Sequence, residues 1–232
     1  MWSFIAPVMY TYFLYPLITI RLAKRKGLKK RKGSSNITNT SILIAAYNEE
    51  LVIESKIKSI LASKYPTDQI EILIGTDNCT DNTDNIIQEY AEKYKIIRHV
   101  KFSERSGKIK IINSLFEIAK GEVLVLTDAN VIFTEHTLDS LLKHFGDSKV
   151  GLVDSNMKNF GMKSTGISIP EKTYISIEGK LKYAEGNLWG TMMGPFGGCF
   201  AVRKSLFSKV PDNFLVDDFF INMKVLENGY SC

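Results

Sequence analysis

Three short polar clusters carry residue types suited to chemistry on anionic or hydroxylic substrates: Tyr47-Asn48-Glu49-Glu50, Asp77-Asn78-Cys79-Thr80-Asp81-Asn82-Thr83 and Thr127-Asp128-Ala129-Asn130. Each directly follows a short apolar run. A carboxylate is a pure hydrogen-bond acceptor, so Asp77 suits a nucleobase edge and Glu49 suits ribose hydroxyls. Asp128 and Asn130 offer two side-chain oxygens at i and i+2, a donor pair that can address one hard divalent cation, Mg²⁺ or Mn²⁺. Such an ion neutralises charge on a departing diphosphate. Each cluster also has a plain structural explanation. An aspartate after a strand often closes a turn or caps a helix, and Asp81 and Thr83 have the spacing for that work. Several carboxylates converging on one sheet edge nevertheless repel one another unless a cation or ligand compensates.

Two further clusters carry charge. Arg105-Ser106-Gly107-Lys108 stands just ahead of a helical pattern over Ile109–Ala119. Cations at a helix N-terminus oppose the macrodipole, by a few tenths to about 1 kcal/mol. A phosphate bound there relieves the conflict; a solvated charged face is the alternative. The spacing is not GxxxxGK[ST], and no GxGxxG follows a strand, which speaks against a P-loop or a dinucleotide oxidoreductase. Near the end, Val216-Asp217-Asp218-Phe219-Phe220 opens a helical stretch that stops at Gly229. One aspartate serves as an N-cap. A second is left over, and a carboxylate facing bound substrate can deprotonate an incoming hydroxyl, worth about 10²–10⁴-fold.

The elements that must position these residues follow from periodicity. Ser41–Ala46 (SILIAA), Ile70–Gly75 (IEILIG) and Glu122–Thr127 (EVLVLT) are continuous apolar runs, the pattern of strands buried on both faces. Lys95–Phe102 and Val150–Val153 are further strand candidates. Between them Ile53, Ile57, Ile60 and Leu61, then Ile86, Ile87, Tyr90, Ala91 and Tyr94, mark helix faces. So do Ile111, Ile112, Leu115, Phe116 and Ala119, and Leu138, Leu141, Leu142 and Phe145. Tyr65-Pro66 ends the first helix, and Gly121 reads as the C′ stop of the third. Alternating strands and helices predict an α/β fold with a mostly parallel central sheet flanked by helices. Ligands in such sheets bind beyond the carboxyl ends of the strands, which is where the polar clusters fall.

The bulk numbers narrow the class. The 232 residues suit one domain with an appendage, and 44% hydrophobic with 24% charged residues is ordinary for a packed domain. Cys79, Cys199 and Cys232 are scattered, which argues against a zinc site or disulfide scaffold and fits a reducing compartment. Eight basic residues of the net +5 chain crowd into Arg21–Lys32, and without them the remainder is slightly acidic, so nucleic acid is not an expected partner. Residues 2–20 carry no charge and are long enough to span the roughly 30 Å hydrocarbon layer. With the basic block following, the positive-inside rule predicts residues 1–22 as a single transmembrane anchor in the plasma membrane. Residues 23–40 are then a basic juxtamembrane linker, and 41–232 a cytoplasmic domain. An apolar helix docked on the domain or lying in the interface is the competing reading.

The clusters in order resemble a known family. AAYNEE, YP, GTDNCTDNT, ERSGK, LTDAN, GPFGGCFAVRKSLF and VDDFFINMKVLENGY are similar to the family 2 glycosyltransferases, on the cellulose-synthase-like and poly-N-acetylglucosamine-synthase-like branch. The resemblance implies a GT-A fold and inverting transfer of a hexose or N-acetylhexosamine from a nucleotide donor, UDP-linked by family habit. The anchor, by holding the domain near the bilayer, makes a membrane-linked lipid or a growing polysaccharide the expected acceptor, and the membrane and other membrane subunits the expected partners. The resemblance also implies that Tyr47, Asn48, Glu49 and Asp77 bind the donor's nucleoside end, and that Arg105, Lys108 and Asp128 lie at its diphosphate. It further implies that Asp128 begins a metal motif, that Asp218 is the catalytic base, and that Gly197, Gly198 and Asp217 lie on the acceptor side. Two departures stand out. Asn130 replaces the second aspartate many members have, and Cys232 ends the chain where a strand is expected, without the QxxRW helix of processive relatives. The reading is therefore of a domain truncated at its C-terminus. The competing expectations are an inactive membrane-anchored relic or assembly subunit, and a sugar nucleotidyltransferase. The latter would carry a glycine-rich basic loop where YNEE stands.

Overall fold

The computed structural model describes residues 2–27, 38–158 and 168–232. The apolar runs form strands β1 (Thr40–Ala46), β2 (Ile70–Asp77), β3 (Ile97–Phe102) and β4 (Val123–Thr127), all mutually parallel where they pair. Beyond β4 the sheet reverses. Strand β5 (Leu152–Asp154) and strand β6 (Cys199–Arg203) complete the order β3-β2-β1-β4-β6-β5, with β6 antiparallel to both neighbours. The sheet is thus mixed but mostly parallel, as periodicity leads one to expect: β6 alone runs against the other strands. Apolar patterning reports burial and does not announce that one reversal.

Alternation along each strand divides the core in two. Ile42, Ile44, Ile72, Ile74, Val123 and Val125 face one side, where helix α3 (Ile53–Leu61) packs Ile53, Ile57 and Ile60. The same layer holds helices α4 (Thr83–Lys93) and α6 (Thr137–Leu142). Leu43, Leu73, Leu124 and Leu126 face the other side, under helices α5 (Lys108–Ile118) and α8 (Asp217–Glu227). Gly121 is not a left-handed helix stop. A side chain there would put its Cβ at 2.4 Å from the Ser41 backbone nitrogen, so the glycine is needed for close approach to β1. After α8, Gly229 (φ +79) does turn the chain, and Ser231 bridges in parallel to Val150 at the sheet edge.

The N-terminal segment corrects a larger expectation. It forms α1 (Trp2–Met9), a π-helical turn at Tyr10–Leu14 and α2 (Tyr15–Lys26). Among the described residues no helix is long and apolar enough to cross a membrane, so the single-pass anchor and the plasma-membrane placement drawn from it are overturned. Arg21, Lys24, Arg25 and Lys26 belong to the same helix as the last part of the apolar run. That helix lies against α7 (Ser168–Trp189): the Tyr15 hydroxyl donates to Glu185 at 2.7 Å, Thr19 is buried, and Lys26 Nζ donates to the Leu188 carbonyl at 3.1 Å. Of the expected linker, residues 28–37 lie outside the described residues.

Candidate active site

A cleft of about 370 Å³ opens at the carboxyl ends of β1, β2 and β4, lined by Tyr47, Glu49, Asp77, Arg105, Lys108, Asp128 and Asn130 among others. The sheet order dictates this meeting, because β1 lies between β2 and β4 and their ends carry the three polar clusters. The structural and site-forming residues within those clusters separate cleanly. Asn48, in the left-handed region at φ 53, pairs its side-chain amide with Thr80: Oδ1 accepts from the Thr80 N–H at 2.9 Å and Nδ2 donates to Oγ1 at 3.0 Å. Asp81 accepts from the Thr83 and Glu50 N–H groups, and Thr83 Oγ1 accepts from the Glu49 N–H. These bonds staple the first two loops together and leave Tyr47 and Glu49 facing the cleft.

Asp77 is almost fully buried. Its Oδ1 accepts from the Ser106 N–H at 2.6 Å and its Oδ2 from the Gly107 N–H at 3.1 Å, with Arg105 Nε 3.5 Å away. The carboxylate thus anchors the backbone at the start of α5, satisfying donors that a helix N-terminus leaves open. The Arg105 guanidinium in turn lies over the Tyr47 ring, 3.3 Å from its centroid. Glu49 has its carboxyl pushed up by burial and then by the nearby charges of Asp128 and Asp81. Such crowding of carboxylates favours a bound cation.

Lys108 Nζ donates to Asp128 Oδ1 at 2.9 Å. Burial pulls the Lys108 ammonium down, but Asp217, Asp128 and Asp218 outweigh it and the net shift is upward. One cation therefore feels both the strand-end carboxylate and the pair at the start of α8. Asp218 itself is pushed up, first by burial and then by Asp217, against the opposing Phe219 N–H bond, Lys108 and Lys182. Gly197, at φ +70, lies directly against it: a Cβ there would sit 2.7 Å from Asp218 Oδ2. Gly198 joins this side of the cleft to β4. Its carbonyl accepts from the Asp128 N–H at 3.0 Å, a contact set by the antiparallel register that places Thr127 opposite Cys199.

The residues present fit a divalent ion only in part. Asp128 and Asn130 supply hard oxygen ligands at one end of the cleft. Among the described residues no group of three or more His, Cys, Asp or Glu could hold a metal alone. The protein's share is thus an incomplete shell, which suits an ion shared with phosphate oxygens.

Two functional candidates escaped the sequence reading. Asp154, at the end of β5, has its carboxyl pushed up to about 6 by burial, against hydrogen bonds from the Phe196 and Ser155 N–H groups and the charge of Lys182. It holds the segment leading into Gly197, and the rule that flagged Asp77 and Asp128, an acid directly after an apolar strand, would have found it. Lys56 lies fully buried on α3, and burial pulls its amine down to about 7. Its signal was a lysine on the same helix face as Ile53, Ile57 and Ile60.

Comparison with known proteins agrees with this architecture. Over 221 residues the chain is 28% identical to a Bacillus subtilis (strain 168) protein named "Probable glycosyltransferase YdaM", covering 87% of this chain and 50% of that one. It is 27% identical over 197 residues to the poly-beta-1,6-N-acetyl-D-glucosamine synthase of Staphylococcus aureus (strain COL), covering 82% and 46%. The chain spans about half the length of these curated relatives. Among solved structures, the mannosyltransferase PcManGT of Pyrobaculum calidifontis, in complex with GDP-Man and Mn²⁺, superposes with a TM-score of 0.79 at 25% identity, covering 97% of this chain and 64% of that one. It places the fold as GT-A-like. The sequence model described as "Glycosyl transferase family 2" matches residues 41–210, and the chain belongs to that family.

Proposed function

We propose that the chain moves a sugar, with inversion, from a nucleotide-diphosphate donor, UDP-linked in our reading, to a hydroxyl of a lipid or glycan acceptor. One observation carries the proposal: a single cation, Lys108, bonds Asp128 and is raised by Asp217 and Asp218, so strand-end and helix-start carboxylates face one site. Tyr47, Glu49 and Asp77 then receive the nucleoside, and Arg105 and Lys108 the diphosphate. Asp128 and Asn130 would hold a divalent ion whose chemistry is to neutralise charge on the leaving diphosphate.

Asp218 takes the proton from the acceptor hydroxyl as that oxygen bonds to the anomeric carbon. The carbon's bond to the diphosphate oxygen breaks on the opposite face, and the electron pair leaves with the nucleoside diphosphate. The upward shift of Asp218 makes it a stronger proton acceptor than an ordinary surface aspartate. Gly197, Gly198 and Asp217 border the acceptor. The relative bound to GDP-Man makes the base an open choice, so both nucleotides belong in the test.

The test is calorimetric titration of UDP and of GDP into the full chain, with and without Mn²⁺, beside Asp128→Ala. We expect Mn²⁺-dependent binding of one nucleotide, weakened at least about tenfold by the substitution. No binding of UDP, GDP or CDP by folded protein would sink the transferase reading and leave a binding or assembly role.

A further inference from the structure

We infer that Lys56 is a positioning residue for this reaction, a buried clip that holds the loop carrying Asp128 and Asn130 in shape and joins it to the glycine segment beside Asp218. The inference rests on the reading of Asp128 and Asn130 as the cation-binding pair. Lys56 does not touch the cleft: it is 0% exposed and not among the cleft-lining residues, so it is no phosphate ligand. Its Nζ donates to Thr127 Oγ1 at 2.8 Å and to the Val131 carbonyl, and it lies 3.8 Å from the centroid of the Phe133 ring. Thr127 and Val131 bracket Asp128-Ala129-Asn130, so one amine group grips both ends of the loop. Protonated or neutral, a lysine amine has at least two N–H donors, and here two strong acceptors take them beside the Phe133 ring.

The grip extends across the cleft. Thr127 Oγ1, while accepting from Lys56, is placed to donate to the Gly198 carbonyl at 3.2 Å, and the same carbonyl accepts from the Asp128 N–H at 3.0 Å. Gly198 follows Gly197, which abuts Asp218. A continuous chain of bonds therefore runs from α3 through the loop to the segment against the proposed base. Burying a lysine is costly unless its hydrogen bonds are made. An apolar side chain would fill the same space between Ile53 and Ile60 but would leave the Val131 carbonyl without its donor.

The experiment compares wild type with Lys56→Met, which keeps length and apolarity. Amide hydrogen exchange is read first. We expect faster exchange confined to residues 127–133 and 196–199, with the amides of β1 and β2 unchanged. Uniform acceleration, or no local change, would overturn the clip. UDP and GDP titrations follow: Mn²⁺-dependent binding should weaken about 10–100-fold while metal-free binding is unaltered, and equal loss of both would make Lys56 merely structural.

Should Lys56→Met fail to fold, Thr127→Val removes the same link from the other side. Unchanged exchange over residues 127–133 in folded Thr127→Val would refute the proposal. If wild type binds neither nucleotide, the transferase reading fails, and the exchange pattern alone decides the clip.

Discussion

On the side of the cleft built from β1, β2 and β4, every carboxylate but that of Glu49, itself pushed up, is held by named donors. Asp77 accepts from two backbone N–H groups, Asp81 from two more, and Asp128 from Lys108. On the side built from β5, β6 and α8, the carboxylates accept backbone N–H bonds too, but burial outweighs them. Asp154 and Asp218 both have their carboxyls pushed up, and two glycines bring backbone against the site. A side rich in N–H donors and cations can receive an anion without large rearrangement. A side holding carboxylates of raised proton affinity is suited to taking a proton. The division matches what a sugar transfer requires, charge binding at one end and deprotonation at the other.

Replacing Asp218 by Asn tests that division most severely. The side chain keeps its size but loses the proton-accepting charge. We expect turnover, followed as release of nucleoside diphosphate from the sugar donor, to fall by about 10²–10⁴-fold. Donor affinity should hold within about threefold, because removing one interaction made only in the transition state spares ground-state binding. Retained turnover would move the base to Asp217 or Asp154 and dissolve the contrast between the sides.

A smaller effect should come from Gly197→Ala, with Gly107→Ala as its counterpart on the other side. Both glycines have positive φ, at +70 and +84, so each substitution carries a backbone strain of about 1–3 kcal/mol. They differ in what the new methyl meets: Asp218 Oδ2 at 2.7 Å for Gly197, nothing within 4 Å for Gly107. Thermal denaturation should show a loss in both. Turnover should fall roughly ten- to a hundredfold for Gly197→Ala alone, since a displacement of about 1 Å at a reacting group costs that order. Equal kinetic loss in both variants would mean that strain, and not placement of Asp218, is being measured.

The same contrast governs what was legible in the sequence. The β1, β2 and β4 runs were readable because a strand dry on both faces is apolar throughout, and the polar residues at their ends stood out against that background. Strand β6 was read only as an acceptor-side segment: CFAVR is short and follows two glycines. Its antiparallel pairing, which puts Gly198 against Asp128, depends on contacts about 70 residues apart. The uncharged N-terminal run was misread as an anchor because charge-free length says nothing of how the helices divide it: α1, a π-helical turn and α2 share the stretch, and among the described residues no helix is long and apolar enough to cross a membrane. The bond from Tyr15 to Glu185 joins residues 170 apart in sequence, a contact no local pattern announces. Lys56 went unseen for a related reason. A lysine on an apolar helix face marks the position, but its role follows only once its acceptors, Thr127 and Val131, are known.

The mildest test concerns Asp154 and is read in stability. Its carboxyl, raised to about 6 from an ordinary 3.8, binds a proton more tightly in the folded chain than in the unfolded one. Folding stability from this group is therefore full below about pH 4 and is lost as the pH rises toward 6, by roughly 1–3 kcal/mol. Asp154→Asn carries no charge at any pH, and its amide oxygen can still accept from the Phe196 and Ser155 N–H groups. The difference in unfolding temperature, variant minus wild type, should accordingly rise between pH 4 and pH 6.5 and level off above. A flat difference would mean that Lys182, whose Nζ lies 3.6 Å from the centroid of the Phe196 ring, already compensates the charge. Asp154 would then behave like the paired carboxylates across the cleft, and raised proton affinity would be a property of Asp218 and not of its whole side of the site.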